Sequence, residues 1–435
     1  MQDTIFQKRR KKVFRMMENN SVALIESASE KIRNNDVFYS YRQCSNFFYL
    51  TGHEEPDAIL VLSKRNGKSK SYFFTKKPTK IQETWTGAID SSAKLKKKLL
   101  VDECHYHSAF DKKIYDLING TQTLYHSLDL ASKLNRLLTK TLKSLEKKYR
   151  QGIKCPSKTI SFEKIIHQMR LIKSTEEVNH IKKACTISVR AHKRLMKTCR
   201  PGITEYEIGA ELIHEFTSSN SKEAYPMIVA SGKNACTLHY MKNNCKLKNG
   251  DLLLTDAAAE YKNYASDITR TIPISGKFTK SQKLLYEIVL EAQKNAIKKC
   301  VVGKYWGDIH KEAVKTITKG LIKLGFIKGN LKEALDKKKY EKFYMHSTGH
   351  WLGLDVHDPC EYPGRETALK LKAGMIFTVE PGIYIKADKS IPSGFHNTGI
   401  RIEDDVLVSK GGPIVLTSSL PKEIRDIEKV MNRND

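Results

Sequence analysis

Short apolar runs mark four strands early in the chain: VALIES (22–27), AILVLS (58–63), SYFFT (71–75) and TLYHS (123–127). The spacing then becomes helical. LDLASKLNRLLTKTLKSLEKKY (128–149) places leucines at 128, 130, 134, 137, 138, 142 and 145, which predicts an amphipathic helix. This first part reads as a mixed α/β unit.

Further on, the helices lengthen and their starts become explicit. Ser174 with Glu177, Thr204 with Glu207 and Thr279 with Gln282 form capping boxes, in which each side chain satisfies a backbone N–H that a helix start leaves free. The first of these helices should run to about Thr198, where RPG (200–202) stops it. The third carries an apolar stripe at Leu285, Ile288, Val289, Ala292 and Ala296. Asp308 is expected to cap another helix, ending at Gly325. Segments 251–274, 374–385 and 399–408 read as hairpins. Paired helices beside antiparallel strands imply an α+β domain. The expected division is 1–172 and 173–435.

A chain of 435 residues, 40% of them hydrophobic, is long enough for two cores. Its nine cysteines are odd in number and never form C-x-x-C. That argues against a disulfide framework or thiolate zinc site and for a reducing compartment. The N-terminus lacks a secretory apolar core and no apolar run approaches ~18 residues, so a cytoplasmic location without membrane contact is expected. The net charge of +28 raises the question of nucleic acid. Lysine is spread along the whole chain, however, and arginine does not interleave with aromatics, so no nucleic-acid partner is expected. The densest runs, KLKKKLL (94–100) and DKKKY (336–340), read as solvated faces or loops.

The candidate chemistry begins with carboxylates. DLLLTDAAAEYKNYASDITRTIPI (251–274) suggests two strands and a tight turn, with Asn263 suited to a left-handed position. A turn centred on Tyr261–Lys262 would set Asp256 directly opposite Asp267. Like charges so placed repel, and aspartate is depleted in strands, so the pair needs a cation or a shared proton. In another register one of them is a solvated edge charge. Glu380, between GMIFTV and Pro381–Gly382, and Glu403, in TGIRIEDDVLV, are either turn and edge acids or further ligands.

HSTGHWLGLDVHD (346–358) adds three histidines. His346 and His350 stand at i, i+4, but Ser347 occupies the position of the glutamate in H-E-x-x-H, and Gly349 and Gly353 disfavour a helix. WLGLDV is expected to be extended and to separate His350 from His357. Each histidine alone also has a structural alternative, as a hydrogen-bonded core or loop group. Four carboxylates with a histidine suit hard or borderline divalent cations such as Mn²⁺. Two such cations favour hydrolysis of a carbonyl or phosphoryl bond.

At these residues the sequence resembles bacterial Xaa-Pro aminopeptidase (aminopeptidase P), of the creatinase/prolidase/methionine aminopeptidase superfamily. LLLTDAAAEYKNYASDITRT, HSTGHWLGLDVHD, FTVEPGIYI and GIRIEDD match the family's ordered motifs, and YRQCSNFFYLTGHEEPDAILVL (41–62) matches its N-terminal domain. The resemblance implies a pita-bread catalytic domain, two α/β halves around a dinuclear site. It implies that Asp256 binds one metal, that Asp267 and Glu403 bridge both, and that His350 and Glu380 bind the other. Manganese is the implied metal, with Zn²⁺ or Co²⁺ possible. The implied substrate is a peptide with proline second, and the implied assembly a dimer or tetramer. Glu380 would carry the proton to the leaving nitrogen, His357 would meet the tetrahedral intermediate and His239 would position the scissile bond. His346, Tyr384 and Arg401 would line the proline pocket, and Trp85 in ETWTG would reach the site from an N-terminal domain. Ala258, Ser266 and Ser347 replace family glycines, each expected to add a side chain near the metals. The nearest rival is an Xaa-Pro dipeptidase, which shares the five ligands. A non-catalytic pita-bread binding module is the rival from another class.

Overall fold

The computed structural model describes residues 4–127, 132–360, 362 and 369–432. The chain divides into two compact units, Met1–Met169 and Arg170–Asp435. In the first, six strands form a mixed sheet. Across it the order is Glu103–Tyr106, Lys68–Thr75, Ile59–Arg65, Ser21–Glu26, Thr123–Tyr125 and Lys158–Ile160. The four expected strands are its centre. The two edge strands escaped the pattern because each is short and partly exposed, with no apolar run to mark it. Val22, Leu24, Val61 and Phe74 pack against Phe110, Ile114, Leu134 and Leu138 to form the core. The expected helix appears as Lys133–Glu146; its first residues, 128–131, lie outside the described residues.

The second unit uses one plan twice. The helices Thr175–Thr198 and Glu205–Ser218 are followed by a broken antiparallel ladder, and Lys280–Ile297 and Trp306–Lys323 by another. All three capping boxes form. Asp308 caps the helix from inside its first turn rather than as the N-cap residue: the helix starts at Trp306, and the Asp308 carboxylate accepts the Tyr305 N–H at 3.2 Å. An acid in the first turn is favoured there by the helix dipole.

The first ladder corrects the expected register. The turn is Lys262–Asn263, both left-handed (φ 50° and 65°), so Tyr261 pairs with Tyr264. Two such residues make the turn whose twist matches the flanking strands. Asp256 therefore pairs with Thr269 rather than Asp267. Regular pairing lapses between Asp256 and Ala259, and Asp267 lies in that gap. By the same register Asp256 and Asp267 become diagonal neighbours on one face, which eases the repulsion of a direct pair.

The second ladder corrects the topology. Segment 374–385 is not a hairpin, and neither is 399–408. Ile376–Val379 pairs with Asp404–Ser409, and Gly382–Ile385 pairs with Thr398–Arg401. The two segments run antiparallel along each other, with Val379 opposite Asp404 and Gly382 opposite Arg401. That register, carried across the break, sets Glu380 against Glu403. Both ladders thus open where acids sit, because a strand pair cannot close over crowded carboxylates.

Among the described residues no helix is long and apolar enough to cross a membrane. All nine cysteines are free.

Candidate active site

The two broken ladders open onto one cavity of about 680 Å³, a volume suited to a small ligand. Asp256, Asp267, His346, His350, His357, Glu380, Arg401, Glu403 and His239 line it, with Ile228, Leu238, Met241 and Val356 supplying apolar wall. Ligand atoms of Asp267, His350 and Glu403 lie within 4.8 Å of one another.

Backbone and side-chain bonds fix each acid. The Asp267 N–H donates to Asp405 (3.0 Å), and the Glu403 N–H donates to the Thr269 carbonyl (3.1 Å). The Thr269 hydroxyl donates to Glu403 Oε2 at 2.6 Å. Asp256 is held between the Arg401 guanidinium, 2.6 Å from Oδ2, and the Tyr225 hydroxyl, 2.6 Å from Oδ1. The same hydroxyl reaches Asp267 Oδ1, so Tyr225 ties the two aspartates together.

His350 reaches the acids because Gly349 precedes it. A Cβ at Gly349 would stand 2.0 Å from the Thr378 carbonyl oxygen, so only glycine lets this segment close on the strand Ile376–Val379. There the His350 N–H donates to the Thr378 hydroxyl (3.1 Å), and the Thr378 N–H returns a bond to the His350 carbonyl (3.0 Å). Nδ1 donates to the Trp351 carbonyl at 3.2 Å. Nε2 is left facing Asp267 at 3.3 Å and Glu380 at 3.7 Å. That hydrogen bond orients the ring as metal-binding imidazoles require.

The electrostatics show what the cluster can hold. Burial first, then neighbouring carboxylates, raise Asp267 and Glu403 above the usual range, and burial pushes Glu380 up to about 7. Burial would lower His350, but its bond to Asp267 and the charge of Glu380 win and raise it to about 9. Burial thus disfavours negative charge on these acids, and a positive charge placed among them offsets that cost. An oxygen-rich set with one oriented imidazole fits divalent cations, which would supply that positive charge.

His357 overturns the expectation of an extended WLGLDV. Trp351 bridges to the neighbouring strand at Phe377, and the Leu352 N–H donates to the Ile376 carbonyl at 3.1 Å. The chain then turns, with Gly353 N–H on the Asp355 carbonyl (3.1 Å) and Asp358 N–H on the Trp351 carbonyl (2.9 Å). Instead of being separated, the His350 and His357 rings come to 4.3 Å, edge to face. Asp358, 1% exposed, anchors the turn through Arg170 and Lys173, the latter at 3.1 Å. Burial and then His350 lower His357, leaving a neutral ring at the cavity wall.

His346, Tyr384 and Arg401 form a one-way chain of donors. Arg401 Nη1 donates to the Tyr384 oxygen (3.0 Å), and the Tyr384 hydroxyl meets His346 Nε2 at 2.9 Å. His346 Nδ1 lies 2.8 Å from the Ser347 carbonyl, which can only accept. The guanidinium can only donate, so the chain places the imidazole proton on Nδ1. Burial, then Arg401, lower His346 to about 3, consistent with a neutral ring. Tyr384 itself is buried behind the wall. Trp85 is on the helix Lys80–Thr86 of the first unit, 83% exposed, and is not among the cavity-lining residues.

Of the three residues replacing glycines, Ser347 lines the cavity. Ser266 does not crowd it: its hydroxyl bonds Ser188 (2.8 Å) and the Ala259 carbonyl (3.0 Å), away from the acids. Ala258 is buried. Tyr225 escaped sequence reasoning because a lone tyrosine in EAYPMI carries no spacing signal.

The chain matches Metallopeptidase family M24 over residues 179–410 and the Aminopeptidase P N-terminal domain over 6–125. It is 39% identical to Xaa-Pro aminopeptidase of Escherichia coli (strain K12) over 428 residues, 98% of this chain and 97% of that protein. Its structure is similar to proline aminopeptidase P II from Yersinia pestis, with a TM-score of 0.96, 37% identity and all of both chains covered. It is also similar to Zn-substituted E. coli aminopeptidase P in complex with product, with a TM-score of 0.95 and 39% identity over 98% of this chain and 97% of that one. With both domains matched in order and an acid-lined cavity between the two broken ladders, the chain belongs to metallopeptidase family M24 and carries the N-terminal domain of aminopeptidase P.

Proposed function

We propose that this chain is a metal-dependent exopeptidase that removes the N-terminal residue from peptides with proline second. The observation that carries this reading is the convergence of Asp267, His350 and Glu403 within 4.8 Å, with Asp256 and Glu380 on the same cavity wall. Asp256, Asp267 and Glu403 would hold one divalent cation, and Asp267, Glu403, His350 and Glu380 a second; manganese is the proposed ion. When bound, the pair supplies Lewis-acid stabilisation of the oxygen that becomes charged during amide cleavage.

The chain's own residues do the rest. Glu380 takes a proton from the attacking water and delivers it to the proline nitrogen. That delivery is essential because a tertiary amide nitrogen leaves poorly until protonated. His357, neutral and able to donate, hydrogen-bonds the developing oxyanion. His239 orients the scissile bond. His346 and Arg401, braced by Tyr384, form the wall that receives the proline ring. Trp85 would have to reach this wall for its proposed role, and the protein would work in the cytoplasm as a dimer or tetramer.

The test is to strip the protein with chelator and restore Mn²⁺, Zn²⁺ or Co²⁺ separately. Each form is assayed with an Xaa-Pro-Xaa tripeptide and an Xaa-Pro dipeptide. Turnover of the tripeptide with Mn²⁺ is expected; preference for the dipeptide would make the chain a dipeptidase, and no turnover with any metal would sink the enzyme reading. A second prediction separates roles. His357→Ala should lower kcat by about 10²-fold, the size of losing one oxyanion donor, with metal content unchanged. Parallel loss of activity and metal would defeat that assignment.

A further inference from the structure

His239 is exposed on the loop between the strands Ile228–Ser231 and Leu252–Asp256, and its side chain makes no hydrogen bond among the described residues. The residue that organises this loop lies outside the cavity. Glu205 is the first residue of the 14-residue helix Glu205–Ser218 and is fully buried, yet no cation faces it among the described residues. Its carboxylate instead accepts five hydrogen bonds. Oε1 takes the Ser231 N–H (2.8 Å), the Ser231 hydroxyl (2.7 Å) and the Asn234 amide (3.0 Å). Oε2 takes the Tyr240 hydroxyl (2.9 Å) and the Cys245 N–H (2.9 Å).

Those donors come from both ends of the loop and from the residue next to His239. One oxygen fastens the start, the other the return. The Glu205 N–H also donates to the Cys245 carbonyl at 2.9 Å, so the exchange with the return is two-way. Asn243 adds a second stitch: its side chain accepts from Val229 N–H and donates to the Met227 carbonyl, both at 2.9 Å. At Gly399 a Cβ would stand 2.2 Å from the Ala235 carbonyl oxygen, so the loop also presses directly on the strand Thr398–Arg401. A buried carboxylate is costly unless fully hydrogen-bonded, and here every bond it makes goes to the one loop that carries His239, or to its hinge.

We infer that Glu205 is a positioning residue, setting His239 against the substrate by fastening both ends of the loop 231–245. The inference rests on the peptidase reading of the cavity. A glutamine at 205 has one accepting oxygen and a donating NH₂, which would face donors and release one end of the loop.

The experiment is a double-mutant cycle on the Mn²⁺-loaded full chain with an Xaa-Pro-Xaa tripeptide, using Glu205→Gln, His239→Ala and the pair. Glu205→Gln should lower kcat/KM on the order of ten- to a hundredfold, as small misplacements do, with bound metal unchanged. It should divide its effect between kcat and KM as His239→Ala does. In the His239→Ala background it should cost less than about twofold. Additive losses, or wild-type kcat/KM in folded Glu205→Gln, would overturn the inference. If Glu205→Gln does not fold, Tyr240→Phe removes one of the five donors and should give a smaller fall that also vanishes with His239→Ala; an additive fall overturns it. An inactive wild type would instead strike the peptidase reading.

Discussion

Glu380→Gln should lower kcat by about 10³-fold, within the 10²–10⁴ typical of a positioned proton carrier, while KM changes little. The substitution keeps the side chain's size and its place at the end of the strand Ile376–Val379, where the backbone N–H donates to the Thr348 carbonyl at 2.8 Å. It removes the ability to take and return a proton. KM should hold because His346 and Arg401 are untouched, and the His346–Tyr384–Arg401 chain does not pass through Glu380. The amide is also the weaker metal ligand, so the assay belongs at saturating Mn²⁺ with bound metal measured by elemental analysis. A kcat within tenfold of wild type at full occupancy would remove Glu380 from proton transfer. A fall no larger than that of His357→Ala would count against its central place.

Asp404→Ala should destabilise the protein by ~3–5 kcal/mol, the cost of stripping a buried charge of its partner. Asp404 is fully buried and accepts from Arg270, Thr417, Gln293 and Lys422, each at 2.7 Å. Burial alone would raise its carboxyl, but Arg270 and then Lys422 outweigh that and hold it well below the usual range. Without Asp404, Arg270 keeps only backbone carbonyls at Thr269, Glu403, Leu420 and Pro421. A loss of that size is a large share of a typical 5–15 kcal/mol.

The sign of the pH dependence follows from the lowered carboxyl. A folded-state pKa below the unfolded value of about 3.9 stabilises fully above that pH and less as acid is added. The gap between wild type and Asp404→Ala should therefore be widest near neutrality and narrow below about pH 4, read from urea midpoints. A variant within ~0.5 kcal/mol of wild type at pH 7 would show that Arg270 needs no counter-charge. Because Arg270 also holds the Glu403 carbonyl, the variant should bind Mn²⁺ less tightly as well.

The motif GIRIEDD shows how function and stability share consecutive residues. Arg401 and Glu403 face the cavity, Asp404 neutralises Arg270, and Asp405 receives the Asp267 N–H and the Cys185 thiol. Glu403, in this polar run within an otherwise apolar stretch, could be read from sequence as an edge acid. All four are instead buried, and each has a partner far away in sequence, although Asp405 Oδ1 makes no hydrogen bond among the described residues.

The sequence by itself determined the local elements and the chemistry on offer. Apolar periodicity located the four central strands of the first unit and the long helices of the second, and three capping boxes marked their starts, because these signals act within a few residues. The motifs carrying Asp256, Asp267, His350, Glu380 and Glu403 were legible as an acid-rich set, since carboxylates are rare in apolar strands. What only the tertiary structure decided was pairing and proximity. The turn at Lys262–Asn263, one residue later than expected, moved the partner of Asp256 by two residues, and the 374–385 segment paired with 399–408 rather than with itself. His357 returned to His350 because Asp358 is anchored by Arg170 and Lys173, residues nearly two hundred positions earlier. Tyr225 and Glu205 had no signal at all, for their roles lie wholly in what they touch. Local propensity reads along the chain; register, ion pairing and cavity walls are settled by contacts across it, where burial makes each unpaired polar group too costly to leave alone.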